Sequence, residues 1–544
     1  MLKTPAYANH PAPELESALA RFDTINDLIA HWAEVQPEKI AFSGPGDQNG
    51  WRRLTWASLR EEARGIALGL VGVGVKPGDH IGILADGESY VDCLVAYLSI
   101  LHAGAVMVPL NPRNADHELK HAIEFSDCAY LVIQPKLLGR ARPLLSALPK
   151  LRRVLCLSGS AEGDCPSLQT LRQHAPAGQA LPSPKRDDLA NIIFTSGTTA
   201  RPKAVMHTHG TALATGAIFS AALGLRNDDV FHHAIPFFTS SGTQFALMPP
   251  IWVGATLMVE PGFDAAIMLD RMEAERSTAM IGVPSHYLFL LDELTKHPRP
   301  LPSMRLFDYG GASMPGSAIQ ELARRYPDME QRQQYGLTET GPSGTLLTPD
   351  QILQRIESAG RPMPLCEIKI VNAEGQMATG QETGEIAVRS PACMSGYYKD
   401  PAATAATLVD GWVHTGDIGH LDPEGFLYYS DRKKDIVNRG GLKLSSVEVE
   451  EVLYKHPDVL EAAVVAAPHD KLGEDILAFI VLRTGTVEDA ESLRAFCRER
   501  LADYKSPRQF RFLPEFPKNP MGKIQKNVLR DMARRAPGNE SGFM

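Results

Sequence analysis

Between Thr195 and Val205 the chain reads Thr-Ser-Gly-Thr-Thr-Ala-Arg-Pro-Lys-Ala-Val. Within that stretch Thr195, Ser196, Gly197, Thr198, Thr199 and Lys203 can each donate to an anion or make room for one. Short hydroxyl side chains and a glycine-opened backbone let donors converge on phosphate oxygens, and the lysine adds a point charge. The segment is not a Walker A loop, which needs a second glycine before its lysine, a Ser or Thr after it, and a helix to follow. Here Lys203 lies between Pro202 and Ala204, and residues 191–194 and 205–209 on either side read as strands. The loop therefore joins two strands and owes nothing to a helix dipole. Taken alone, the same residue types also make an ordinary polar hairpin turn.

Further segments follow in order: Tyr335-Gly-Leu-Thr-Glu-Thr340, Thr415-Gly-Asp417, Asp431-Arg-Lys-Lys-Asp435 with Gly440-Gly-Leu-Lys443, and Pro520-Met-Gly-Lys523-Ile. With the first loop, they resemble the motifs of the adenylate-forming superfamily: acyl-CoA synthetases, adenylation domains and luciferases. The resemblance runs from about residue 22 to residue 530. It implies a two-step reaction in which a carboxylate attacks the α-phosphate of ATP and the acyl-AMP is then captured by a thiol, with ATP, Mg²⁺ and coenzyme A as cofactor and co-substrates. A carboxylate is a poor acyl donor until AMP becomes its leaving group, and that step calls for charge neutralisation and alignment more than covalent work by the protein.

By resemblance, the 195–203 loop would hold the β- and γ-phosphates, Thr338 the α-phosphate, and Glu339 the Mg²⁺, a hard cation suited to carboxylate oxygen. Tyr335 would stack on adenine, with Gly311, Ala312 and Ser313 supplying close backbone; a core tyrosine is the competing reading. Asp417 would accept the ribose hydroxyls and Arg432 brace them. Lys523 would bridge carboxylate and α-phosphate. Lys434 would be the pivot of an interdomain hinge, and Gly440 and Gly441 would let the pantetheine arm pass. The acyl pocket would be shaped by Phe237, Phe238, Thr239, Gly242, Val283, Tyr287 and Gly310, mostly apolar and without a buried cation. That argues against amino acids and dicarboxylates and leaves a medium- or long-chain fatty acid as the leading substrate, with an aryl acid next. Loading of a carrier protein in trans is the alternative to CoA. Four positions depart from the family pattern. Ala200 and Ala204 replace glycines of the phosphate loop, Thr239 stands where His or an aromatic is usual, and Ser446 stands where Pro is common.

The scaffold that must position these residues reads as α/β. Residues 1–20 look loose. Helical stretches (59–72, 118–125) then alternate with short apolar strands (82–84, 130–133), and 158–187 reads as a connection. A second α/β stretch spans 188–341, and short strands with turns (367–371, 384–390, 425–429) suggest a small β-barrel. Residues 436–544 read as an α+β module with helices at 446–453 and 490–501 and strands at 459–466 and 476–483. The expected organisation is thus a large N-terminal domain (1–430) of stacked α/β subdomains plus the barrel, a hinge (431–435), and a small mobile C-terminal domain (436–544).

Composition is that of a soluble globular protein. The chain has 544 residues, 44% hydrophobic and 22% charged, with 55 basic against 64 acidic residues and a net charge of −9. A mildly acidic balance argues against nucleic acid or an anionic membrane as partner. The seven cysteines are scattered without a C-x-x-C pair, as expected of reduced thiols in the cytoplasm. Neither the first fifteen residues nor the C-terminal Phe-Met544 reads as a targeting signal. The apolar run 94–110, broken by His102 and Gly104, reads as a buried helix and strand and not a transmembrane segment. Expected partners are a small-molecule carboxylic acid and CoA, with a homodimer as the expected association of the chain with itself.

Overall fold

Apolar runs such as Cys128–Ile133 and Ala279–Gly282 are buried along their whole length and pair in parallel, as strands do in sheets covered on both faces. The computed structural model describes residues 12–46, 50–145, 147–159, 165–175, 178–195, 202–432, 435–469, 471–483, 485–519 and 522–534.

Two large sheets carry the N-terminal part. The seven-stranded sheet runs in the order Gly396–Tyr397, Ala204–Thr208, Leu189–Phe194, Val106–Leu110, His80–Leu84, Cys128–Ile133, Arg153–Cys156. The nine-stranded sheet runs Arg361–Pro362, Gly344–Leu347, Glu330–Gly336, Leu306–Gly310, Ala279–Gly282, Val230–His233, Thr256–Val259, Ile40–Gly46, Gly50–Thr55. Helix Tyr90–His102 is buried at every position and His209–Leu223 at all but Thr211, and one continuous apolar core joins both helices to strands of both sheets. Helices apolar on all sides belong inside a layered protein. The run 94–110 is accordingly a buried helix followed by the strand Val106–Leu110. Among the described residues no helix is long and apolar enough to cross a membrane.

A curled five-stranded antiparallel sheet stands where the small barrel is expected. Its path is Glu367–Val371, Gly384–Arg389, Trp412–Leu421, Leu408–Val409, with Leu427–Arg432 pairing farther along Trp412–Leu421 on the same side as Leu408–Val409. From Val437 onward the strands pair among themselves: Leu442–Leu444, Val437–Arg439, Gly473–Leu482 and Val459–His469, with Gln509–Phe512 parallel to Gly473–Leu482.

Three expectations need correction. Residues 12–20 are not loose, because Ala12–Leu19 is a helix whose Leu15 and Leu19 enter the core. The strand after the phosphate loop ends at Thr208, whose hydroxyl caps the helix beginning at His209. Helix Ala490–Arg498 stops before residue 501.

In the nine-stranded sheet the run from Ile40–Gly46 to Glu330–Gly336 is parallel throughout. Its strands therefore release the chain at one edge, at Gly282, Gly310 and Gly336, and loops at such an edge are where open α/β sheets build their sites. Tyr287 fastens two of these strands together, its hydroxyl lying 2.7 Å from Asp308 O and 3.1 Å from Met280 O. Tyr287→Phe should destabilise this layer by about 1–3 kcal/mol, the usual cost of leaving a buried polar group unpaired. The check is the thermal unfolding midpoint, which should fall by a few degrees.

Candidate active site

The strand ends, the curled sheet and the C-terminal module enclose a cleft of about 1890 Å³. Lys523 reaches into it from the C-terminal module. A Cβ built on Gly311 would lie 2.6 Å from Lys523 Cε and 2.7 Å from Nζ, and Gly311 has φ +81°. The positive φ is what calls for glycine, since L-residues rarely take it, and a side chain there would also push the end of the lysine aside. The lysine is aimed by its own turn. Lys523 N donates to Asn519 Oδ1 at 2.9 Å, and Asn519 N donates to Lys523 O at 2.8 Å. Desolvation pushes the Lys523 ammonium down to about 8, Arg432 adds repulsion, and Asp417 partly offsets both.

Asp417 is buried and faces Arg432 across the antiparallel ladder of Trp412–Leu421 and Leu427–Arg432. Tyr335 Oη donates to Asp417 Oδ2 at 2.8 Å, Asp417 N donates to Thr415 Oγ1 at 3.1 Å, and Arg432 Nε stands 3.4 Å from Asp417 Oδ1. The Tyr335 ring tilts against Tyr429 with centroids 6.1 Å apart. Burial and the neighbouring Asp417 carboxylate push the Tyr335 hydroxyl far up, so it stays a donor. Gly311, Ala312 and Ser313 line the cleft beside Tyr335.

Thr338 and Glu339 lie on a short 3₁₀ turn after Glu330–Gly336. His207 Nε2 is 2.9 Å from Thr338 O. Burial pushes His207 down to about 4, so the ring is neutral and Nε2–H must be the donor to that carbonyl. Tyr397 Oη donates to Glu339 Oε1 at 2.8 Å, and Lys203 Nζ sits 4.4 Å over the Tyr397 ring. Tyr397 thus links the lysine of the phosphate loop to the carboxylate of the second motif. Thr195 N donates to Lys203 O at 2.9 Å and closes the loop at its base. Ser196, Gly197, Thr198 and Thr199, like Lys434, lie outside the described residues.

Of the proposed acyl-pocket residues, Phe238, Thr239, Val283 and Gly310 line the cleft. Phe237, Gly242 and Tyr287 do not. Phe237 packs edge-on to Tyr90 and Tyr97 in the core, at 5.7 and 6.3 Å between centroids. Tyr287 is spent on the two carbonyls already described. Gly242 is buried where a Cβ would meet Pro236 O at 2.2 Å, so its smallness serves backbone packing. Gly440 and Gly441 lie exposed on the turn between Val437–Arg439 and Leu442–Leu444, away from the cleft. At the expected hinge, Asp431 Oδ2 accepts from Ser446 N and Ser446 Oγ, both at 2.7 Å. A proline at 446 could make neither bond. Sequence reasoning missed Tyr397 and His207; no local pattern marks them, and only the fold brings them to the site.

Family models for "AMP-binding enzyme" and "AMP-binding enzyme C-terminal domain" match residues 29–398 and 448–523. A Mycobacterium tuberculosis relative named 3-[(3aS,4S,7aS)-7a-methyl-1,5-dioxo-octahydro-1H-inden-4-yl]propanoyl:CoA ligase is 34% identical over 88% of this chain and 94% of its own. A feruloyl-CoA synthase from an Amycolatopsis species is 33% identical over 93% of this chain and 99% of its own. The solved structure of the anthranilate CoA ligase AuaEII with anthranoyl-AMP superposes with a TM-score of 0.86 at 25% identity, covering 98% of this chain and 99% of that one.

The depressed Lys523 gives a pH signature. With the free-site value near 8 against an ordinary 10.5, the amine is largely neutral at pH 9, and an anion laid over Gly311 restores the charged form. ATP binding should therefore take up about one proton at pH 9 and almost none at pH 7. Titration calorimetry in buffers of different ionisation enthalpy measures this directly. Equal uptake in Lys523→Met would contradict the assignment.

Proposed function

The chain belongs to the AMP-binding enzyme family, on its acyl-CoA synthetase branch, and from that premise we propose how its residues divide the work. It is an AMP-forming acid–thiol ligase that uses ATP and CoA. In the first half-reaction a carboxylate oxygen of the acid bonds to the α-phosphorus and pyrophosphate leaves. In the second, the CoA sulfur bonds to the acyl carbon, AMP leaves with the C–O electron pair, and the thiol proton passes to solvent.

The carrying observation is the position of Lys523, an ammonium delivered from the C-terminal module to the strand ends beside Tyr335, Asp417 and Arg432. There it would stabilise the charge that develops between carboxylate and α-phosphate. Asp417 and Arg432 would hold the ribose and Tyr335 the adenine; Lys203 and the 195–203 loop would hold the outer phosphates and Thr338 the α-phosphate. Glu339 would meet the Mg²⁺ that accompanies ATP. One carboxylate oxygen pinned by Tyr397, with the other left over among the described residues, suits a cation that takes most of its ligands from phosphate and water. That ion would neutralise triphosphate charge.

A division at 431–435 into a domain of residues 1–430 and one of 436–544 would have a physical consequence. Lys523 occupies the cleft while Gly440 and Gly441 face away from it, so one rotation would exchange them between the two half-reactions. The acid is a monocarboxylate whose body meets mainly apolar and small neutral groups: the cleft-lining residues drawn from 235–245, 282–288 and 310–314 include no Lys or Arg. Medium- or long-chain fatty acids and aryl acids both satisfy that, and the relatives named above act on ring-bearing acids.

Pyrophosphate release and hydroxamate trapping over a panel of carboxylic acids, with and without CoA, test the reading. Lys523→Ala should lose about 10²–10³ in acyl-AMP formation yet still convert supplied acyl-AMP and CoA to thioester. Gly441→Leu should do the reverse. A Lys523→Ala protein that folds but loses both half-reactions equally would refute the two-conformation scheme.

A further inference from the structure

Three hydrogen bonds cross from the curled sheet to the start of helix Ser446–Tyr454 in the C-terminal module. Ser445 Oγ donates to Ser430 O at 2.5 Å, and Ser446 N and Ser446 Oγ each donate to Asp431 Oδ2 at 2.7 Å. Asp431 is 1% exposed and Ser446 is 0% exposed, so water does not compete for these bonds. A third group fixes the direction of the hydroxyl bond. Lys526 Nζ lies 2.7 Å from Ser446 Oγ and can only donate, so the serine proton goes to the carboxylate. Lys526 is held in turn by Glu450 Oε1 at 2.7 Å. The helix does not need Asp431 as its cap, because Ser445 Oγ already accepts from Val447 N at 3.1 Å and Glu448 N at 3.4 Å.

Asp431 belongs to strand Leu427–Arg432, where it pairs with Ile418. Ser446 follows the expected pivot at Lys434. A rotation there carries Ser446 away from Asp431 and breaks all three bonds together. The pose with Lys523 in the cleft has these bonds, and the pose that would bring Gly440 and Gly441 to it does not. Resting on the ligase reading above, we propose that Asp431 and Ser446 latch the adenylation pose and thereby set how scarce the thiol-capture pose is. Both are positioning residues, acting through where they hold the module. Proline, which the family pattern expects at 446, suits the first turn of a helix but has neither the N–H nor the hydroxyl. Restoring it would remove the latch and leave the helix.

Ser446→Pro, Ser446→Ala and Ser446→Thr in the full-length enzyme test the latch, with the acyl-AMP of the best acid in the panel supplied and CoA varied. A ligand binds more weakly in proportion as its competent pose is scarce, and a hydrogen bond to a charged group shifts an equilibrium about 10-fold or more. Ser446→Pro should therefore raise kcat/KM for CoA about 10-fold, chiefly by lowering KM, with pyrophosphate release from ATP and acid unchanged or slower. Ser446→Ala keeps the N–H and should rise less, while Ser446→Thr keeps both donors and should match the wild type. General damage to the fold would depress both half-reactions. A kcat/KM for CoA that is unchanged or lower in Ser446→Pro would overturn the latch and leave the ligase reading intact, and so would faster pyrophosphate release. Should Ser446→Pro fail to fold, Ser446→Ala decides by the same criterion. No pyrophosphate release with any acid would overturn the ligase reading itself, and the latch with it.

Discussion

Placing a lysine ammonium against the sheet edge at Gly311 is the constraint around which the site is organised. Removing a cation from water is expensive unless an opposite charge is supplied, and the protein supplies only a share of it. Asp417 attracts the ammonium while Arg432 repels it, and desolvation is the largest effect on its proton affinity. The surrounding structure maintains this unfavourable arrangement. Gly311 withholds a side chain, and the Asn519 turn fixes the lysine backbone through hydrogen bonds in both directions. A site that holds an under-compensated cation in a narrow cleft is prepared for an anion before the anion arrives.

The other polar groups are prepared in a different way, by tying each motif to a second element. Tyr335 is held by Asp417 from the curled sheet, the Thr338 carbonyl by His207 from the seven-stranded sheet, and Glu339 by Tyr397. Each tie crosses between layers of the fold. Side chains fixed from two directions need little reorganisation when charge develops beside them, which is where electrostatic catalysis obtains most of its advantage. The parallel strands contribute the geometry, because they bring Gly282, Gly310 and Gly336 out at one edge.

Much of this was legible in the residues. The alternation of apolar strands and amphipathic helices announced a layered α/β protein, and the Tyr335, Asp417, Arg432 and Lys523 segments converge on one cleft although they are scattered along the chain. What was not legible has a common cause. Tyr397 and His207 belong to strands that pair across long sequence separations, and nothing in their neighbours distinguishes a site residue from a core one. Tyr287 and Phe237 erred in the opposite sense, since an aromatic near a pocket motif reads the same whether it faces the cavity or the core behind it. Thr208 shows a subtler limit. The residues on either side of the strand end, His207 to Thr211, carry no change of pattern, and only the capping hydroxyl reveals that a helix has begun.

The short pairing of Gly396–Tyr397 with Ala204–Thr208 has a bearing on biosynthesis. Until that pairing forms, Ala204–Thr208 is the outer strand of the seven-stranded sheet, with a row of backbone donors and acceptors open on one side. On the ribosome, the segment that covers it emerges only after nearly the whole nine-stranded sheet has been made. Exposed strand edges are templates for pairing with other chains, and the risk is greatest in partly folded intermediates. Nascent chains of this protein therefore pass through a long interval in which the edge beside the future phosphate loop is sticky, and chaperone shielding during translation would matter more here than the stability of the finished fold suggests.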